Sequence, residues 1–274
     1  MIPKIIWIYW DSGFESAHKI VKHCVESWKN KNPDWQIRLI SESNLSTYIN
    51  AIDVTKHKYF KLPIQKKANL IRLKLLADYG GVWVDATVYC TKPLSHWVFK
   101  HSTSGFFVFS NPGRDRLISN WFIAANPNNY IIKELYKSRC EFWSKYDIPH
   151  QGFMMKKVRP LLNKILNQKK YFTLLWFTLL FTRIFKMYPY VVFHYDFYRL
   201  LQKDQKFKAN WNSIKHISAK KAHTIQKVGM LHQVNEETIQ TLRKIDVPVF
   251  KLHHKFDETL LSDNALVMYL FKNY

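Results

Sequence analysis

Hydrophobic positions recur along this chain with two different periods, and the alternation between them predicts the fold class. Lys4 to Trp10 is an almost continuous apolar run between Pro3 and the turn residues Asp11, Ser12 and Gly13, which predicts a strand. Ser12 and Glu15 match the S-x-x-E capping box. Ala17, Ile20, Val21, Cys24, Val25 and Trp28 then fall on one face of a helix that Asn30 to Pro33 ends. Trp35 to Ile40 alternates as a second strand, and Ser41 to Asn44 opens a short helix. Beyond Pro63, which suits a first helical turn, Ala68, Ile71, Leu75, Leu76 and Tyr79 recur at a 3.6-residue period and predict one buried stripe. Gly80 and Gly81 stop that helix. Val82, Trp83 and Val84 carry no polar group, so this strand is expected to be covered on both faces, with Asp85 where it runs out. Asn69 and Arg72, three apart, share one face of the helix leading in.

Strand and helix thus alternate over the first ninety residues. The pattern predicts an α/β chain with a parallel, doubly wound sheet and ligands at the carboxyl ends of its strands, where Asp11 and Asp85 would lie. Gly105 to Phe109 and Trp121 to Ala125 read as further strands. Asn126 to Asn129 forms a loop that caps a helix from Tyr130 to Trp143, with Ile131, Ile132, Leu135, Tyr136 and Phe142 on its buried side. The texture changes at Gln151. Lys156 to Lys170 is basic and helical in pattern, interrupted by Pro160, and Tyr171 to Phe181 is uncharged. A helix from His194 to Leu201 and another opening at Asn235 follow. The strand Val249 to Leu252 then leads into His253, His254 and Lys255.

Composition narrows the classes. A hydrophobic fraction of 47% and an aromatic fraction of 16% over 274 residues support a large core and exclude extensive disorder. Lys and Arg number 42 against 20 Asp and Glu, a formal charge of +22, which suits a nucleic acid, an anionic membrane surface or a phosphorylated substrate. The charge is spread over many predicted helices, which favours a membrane-facing or general surface role over nucleic acid. Cys24, Cys90 and Cys140 lack metal-ligand spacing and read as free thiols of a reducing compartment. The N-terminal apolar run is too short for a signal peptide, and no uncharged stretch reaches the ~20 residues of a spanning helix. A cytoplasmic protein, peripheral on the inner face of the membrane, is therefore expected. Tyr171 to Phe181 is either a buried helix or an interfacial segment held to anionic lipid through Lys169, Lys170, Arg183 and Lys186.

The candidate chemistry centres on Asp85. A carboxylate at a strand end is either a turn residue or a ligand for a Mg²⁺ or Mn²⁺ ion that also holds a diphosphate, with Thr87 offering a second oxygen. Several motifs occur in order along the chain: I-P-K-I-I-W-x-Y-W, K-x-N-x-x-R, Y-G-G-V-W-V-D-A-T-V, K-P-L, N-W-F-I-A-A-N-P-N-N, H-Y-x-F and K-L-H-H-K. Together they resemble the capsular polysaccharide synthesis group of sugar transferases, which is related to glycosyltransferase family 32 and, more distantly, to the large glucosylating toxins.

That resemblance implies a GT-A fold with a helical C-terminal part. It assigns residues 1–150 to a nucleotide-sugar-binding core, 151–245 to a helical insertion facing acceptor or membrane, and 246–274 to a segment returning to the active site. It implies a UDP-sugar donor, Mn²⁺ or Mg²⁺, and transfer of a hexose, galactose or glucose, with retention. The acceptor would be a hydroxyl of a capsular or lipopolysaccharide glycan, lipid-linked or on the surface. Asp85 corresponds to the first acid of the D-x-D motif, and Thr87 stands where the second acid is often found. Asn69 occupies a position usually held by Asp that bonds donor hydroxyls, and Arg72 would contact the sugar or a phosphate. Ile8, Tyr9 and Trp10 would meet uracil and ribose, with Trp83 and Ala86 also at the donor. His253 or His254 would ligate the metal, Lys255 would neutralise the diphosphate, and Asn126 to Asn128 lies toward the acceptor. A nucleotidyltransferase of sugar metabolism, or a basic adaptor binding membrane or nucleic acid without chemistry, fits the composition as an alternative.

Overall fold

The computed structural model describes residues 1–54, 56–146 and 153–274. Among the described residues eight strands form in chain order: β1 (Ile5–Tyr9), β2 (Gln36–Ile40), β3 (Gly81–Asp85), β4 (Val88–Cys90), β5 (Phe106–Gly113), β6 (Arg116–Ala125), β7 (Ile217–Ser218) and β8 (Val249–Lys251). Six make one sheet in the order β2-β1-β3-β6-β5-β7, and β4 pairs with β8 in a separate ribbon. β1 runs parallel to both β2 and β3, and β5 parallel to β7, while β6 is antiparallel to both its neighbours. The sheet is therefore mostly parallel rather than wholly so. β5 and β6 are joined by a tight turn, with Gly113 facing Arg116, and a connection that short can only reverse the chain.

Hydrophobic cores cover both faces of the sheet. Val82 and Val84 of β3 point into one, with Ile20, Val21, Cys24 and Trp28; Trp83 between them points into the other, with Leu70, Ile71 and Leu75. The helices are α1 (Lys19–Lys31), α2 (Lys56–Lys61), α3 (Ile64–Asp78), α4 (Val98–His101), α5 (Tyr130–Lys145), α6 (Phe153–Leu166), α7 (Val192–Lys203), α8 (Gln205–Asn212), α9 (Thr224–Val228), α10 (Glu236–Arg243) and α11 (Leu266–Asn273). α1 starts later than the Ser12–Glu15 box implies. Its cap is His18, whose ring accepts from the Ile20 amide at 3.1 Å and meets the Phe256 carbonyl at 3.2 Å, so a distant segment sets the helix start. α5 is capped as expected, by Asn129 accepting from the Ile132 amide.

α3 is buried almost all round, because it packs against the sheet and against α5. Tyr79 leaves the expected stripe: it is 41% exposed, and its hydroxyl donates to the Tyr48 carbonyl. Gly80 and Gly81 both have positive φ, and a Cβ on either would lie 2.6 Å from backbone, of Pro127 and Ile5 respectively. No other residue fits this junction without displacing a neighbouring strand.

The boundary expected at residues 150/151 lies outside the described residues. Beyond it, α7 packs on β6 and α5, and β7 joins the edge of the main sheet. Asp196 of α7 is fully buried and accepts from Ser138, Arg139 and Arg199, which clamps α7 to α5. Residues 172–177 form a 3₁₀ helix and 180–184 a π-helical turn. Thr173, Trp176 and Phe181 point inward there, while Tyr171, Phe172, Leu175, Leu179 and Leu180 are exposed. Among the described residues no helix is long and apolar enough to cross a membrane.

Candidate active site

β1 and β3 end side by side, with Tyr9 opposite Asp85, and a cavity of about 840 Å³ opens at that carboxyl edge. Tyr9, Trp10 and Asp11 line it from β1. Lys66, Asn69 and Arg72 come from one face of α3, and Trp83, Asp85, Ala86 and Thr87 from β3 and the turn after it. β6 adds Arg116, Ser119, Asn120 and Trp121; the start of α7 adds Phe193 and His194, after Tyr190 and Val191. Lys220, His223, Gln226 and Lys227 form a further wall, and Lys251 and His254 close the site from β8 and the loop after it.

Arg72 and Asp85 are its centre. The i,i+3 spacing on α3 lets the Arg72 guanidinium donate to Asn69 and to Asp85 Oδ1, the latter at 2.8 Å, while it lies over the Trp83 ring. Asp85 Oδ1 also accepts from Trp83 Nε1 at 3.0 Å, and Asn120 donates to Asn69 Oδ1 at 3.1 Å. On the other side, Lys251 Nζ donates to Thr87 Oγ1 at 2.5 Å and stands 3.5 Å from Asp85 Oδ2. Burial alone would raise the Asp85 pKa, but Lys251 and Arg72, with hydrogen bonds from Trp83 and Arg72, hold it below the usual carboxylate range. It is ionised at neutral pH.

Burial, followed by Arg116 and Arg72, pushes the pKa of His194 down to about 3, so this ring is neutral. Lys66 donates to the Tyr190 carbonyl; burial, then Arg139 and Arg159, lower it to about 7. Five buried polar atoms of lining residues have no partner among the described residues: Arg72 Nε, Ser119 Oγ, Trp121 Nε1, His194 Nδ1 and His223 Nε2. An unsatisfied buried polar group costs about 1–3 kcal/mol, so five on residues around one cavity favour a polar occupant there, water or ligand.

Of the residues expected from the sequence, Tyr9, Trp10, Asn69, Arg72, Trp83, Asp85, Ala86, Thr87 and His254 all line the cavity. Ile8 does not: it is fully buried in the core on the opposite face of the sheet from Tyr9. His253 and Lys255 are also outside the lining; the His253 amide donates to Met230 sulfur, and the Lys255 amide to the His253 ring. K-L-H-H-K has a lysine at each end, and β8 pairs Lys251 opposite Val88, which brings the first lysine to Asp85 rather than the last. Arg116 and the 220–227 wall carry no local signal that sets them apart from surface residues, whereas Asn120 opens the motif N-W-F-I-A-A-N-P-N-N without being singled out by it.

The divalent cation implied by the resemblance finds no fitting ligand set. Both oxygens of Asp85 already face donors, and the Lys251 ammonium stands between Asp85 and Thr87. Among the described residues no three His, Cys, Asp or Glu side chains converge where they could hold a metal ion.

Comparison with known proteins bears on the family of the chain. A family model described as capsular polysaccharide synthesis protein matches residues 1–176. An O-glycosyltransferase of Annulohypoxylon truncatum is 26% identical over 159 residues, covering 51% of this chain and 38% of that protein. An initiation-specific alpha-1,6-mannosyltransferase of Candida albicans is 24% identical over 147 residues, covering 51% of this chain and 37% of that protein. The chain thus spans well under half the length of these relatives. The solved PaToxG glycosyltransferase corresponds loosely, with a TM-score of 0.41 and 16% identity over 63% of this chain and 76% of that one. With the family model matching well over half of its length, the chain belongs to the capsular polysaccharide synthesis protein family.

Proposed function

We propose that this chain is a glycosyltransferase that moves a hexosyl group, galactosyl or glucosyl, from a UDP-sugar to a hydroxyl of a capsular or lipopolysaccharide glycan. The observation that carries this is the Arg72–Asp85–Lys251 arrangement at the sheet edge, in a cavity lined by six Lys or Arg side chains and two Asp. That excess of cations suits a diphosphate, and the polar cluster of Asn69, Asn120 and neutral His194 suits sugar hydroxyls. Tyr9 and Trp10 offer aromatic surface to a base.

In this mechanism the acceptor oxygen attacks the anomeric carbon as its bond to the β-phosphate oxygen breaks. The bonding electrons leave with the nucleoside diphosphate, and the acceptor proton passes to the departing phosphate on the same face, which retains configuration. Cations already in place around the diphosphate stabilise the charge that develops there.

The surface supports a lipid-linked acceptor at an anionic bilayer. Eleven of the sixteen exposed large hydrophobic residues among those described fall between 158 and 190, including Leu179, Leu180, Ile184 and Phe185. Lys169, Lys170, Arg183 and Lys186 flank them. Tyr190 belongs both to this exposed stretch and to the cavity lining, so the apolar surface runs up to the site.

The test is release and transfer of sugar over a panel of UDP- and GDP-linked hexoses, mannose included because one relative is named a mannosyltransferase. One UDP-hexose is expected to turn over, and Asp85→Ala to lose about 10²-fold or more. Full turnover by Asp85→Ala would sink the reading, and pyrophosphate release from UTP would replace it with nucleotidyl transfer.

A further inference from the structure

We propose that the Lys251 ammonium takes the place of the divalent cation at this site, so that nucleoside diphosphate is bound and released without a metal ion. The inference rests on the glycosyl-transfer reading above and names how that site handles phosphate charge.

Position comes first. The backbone holds Lys251 in place: β8 pairs antiparallel with β4, and the Leu252 amide donates to the Thr87 carbonyl at 2.8 Å. Its side chain then reaches the two oxygen-bearing residues of D-A-T that would otherwise meet a metal, Thr87 at 2.5 Å and Asp85 at 3.5 Å.

Charge comes second. With Asp85 ionised and Arg72 and Lys251 charged, the trio carries one net positive charge. Arg72 and Asp85 alone sum to zero, so Lys251 supplies that net charge itself, where a divalent ion in its place would supply two. Adding that ion here would set it against two cations with only one carboxylate between them. A threonine at position 87 is consistent with this: an ammonium needs an acceptor, which a hydroxyl supplies, whereas a second carboxylate would cancel the positive charge that the diphosphate requires.

Chemistry comes third. A lysine ammonium has three donors in a compact charge. Thr87 takes one and Asp85 faces another, which leaves donor capacity for a phosphate oxygen. As the glycosidic bond breaks, the electron pair moves onto the β-phosphate, and Lys251 offsets that charge without giving up a proton.

Calorimetry with UDP and GDP decides the matter, each titrated into the full chain in excess EDTA and again in excess MnCl₂. Wild-type protein is expected to bind UDP with affinities within about threefold in the two buffers. Lys251→Met is expected to lose about tenfold or more in EDTA, the equivalent of one charge-assisted hydrogen bond, and to regain part of it in Mn²⁺ because Asp85 Oδ2 and Thr87 Oγ1 are then released. A lysine that only supported the fold would show no such rescue. UDP binding by wild type that needs Mn²⁺ overturns the proposal and leaves the transferase reading standing, and this arm does not depend on the variant folding. Undiminished UDP binding by Lys251→Met in EDTA also overturns it. Failure of both nucleotides in both buffers takes down the proposal and the transferase reading together.

Discussion

Asp85→Asn separates what the carboxylate does for the fold from what it does for ligand. The substitution keeps the shape and an acceptor oxygen for Arg72 Nη2 and Trp83 Nε1, and removes only the charge. Arg72 is 3% exposed and Asp85 about a quarter exposed, so the guanidinium loses its ionic partner in a largely dry setting. Breaking a fully buried pair costs about 3–5 kcal/mol; the retained hydrogen bonds and partial exposure bring the expectation to about 2 kcal/mol. For a chain of this size that is a fall in Tm of roughly 4–8 °C, read by circular dichroism or differential scanning fluorimetry. The pH dependence has a definite sign. The folded-state pKa of Asp85 is depressed, so its contribution is fully present above the ordinary value of 3.8 and is lost as pH falls through the lower folded value. The gap between wild type and variant should therefore be constant near neutrality and close on strong acidification. UDP affinity in EDTA should not fall, because Arg72 and Lys251 both remain and the site becomes more positive. Turnover should fall, because Lys251 then loses the carboxylate charge it faces and Arg72 keeps only a neutral acceptor. An unchanged Tm at pH 7, or loss of metal-free UDP binding, refutes the reasoning.

Three further outcomes follow from the same geometry. Lys66→Met should remove a pH dependence: the folded pKa of about 7 lies below the ordinary 10.5, so the unfolded chain binds more protons between them and wild type gains stability as pH rises through that window. Denaturant titrations of both proteins across it should show a difference that changes with pH, and a constant difference counts against the buried-ammonium account. His194→Phe should melt no lower than wild type, since a neutral buried ring with an unpartnered nitrogen gives way to an apolar one, yet transfer should drop about tenfold; unaltered transfer would remove His194 from the sugar site. Replacing Leu179, Leu180 and Ile184 together by Glu should abolish flotation with phosphatidylglycerol vesicles while leaving UDP affinity intact, and continued flotation would locate membrane binding elsewhere.

The parts of the site legible in the sequence are those set by neighbours in the chain. Asn69 and Arg72 share a helix face because they are three apart, and Asp85 ends a strand announced by two glycines and three apolar residues. What was not legible depends on pairing across the chain. Nothing local distinguishes Lys251 from Lys255; only the register of β8 against β4 does. The Ser12–Glu15 box is a sound local signal overridden by contacts from Phe256 to His18. The reversal of β6 depends on the tight turn joining it to β5, which the apolar pattern of the strands alone does not announce. The wall from Lys220 to Lys227 sits on a three-residue 3₁₀ turn, Lys221–His223, and a five-residue helix, too short to leave a periodic trace.

The ribbon of β4 and β8 also has a consequence in time. Lys251 reaches Thr87 across 164 positions of sequence, whereas Arg72 and Asp85 are only 13 apart. A chain emerging from the ribosome can pair the near partners while the far cation is still unmade, and closing so long a loop is among the slower contacts to form. Until β8 docks, Arg72 is already matched by Asp85 and the cation beside Thr87 is missing from the pocket. The charge that the proposal assigns to Lys251 therefore reaches the site only after residue 251 has been synthesised and β8 has paired with β4.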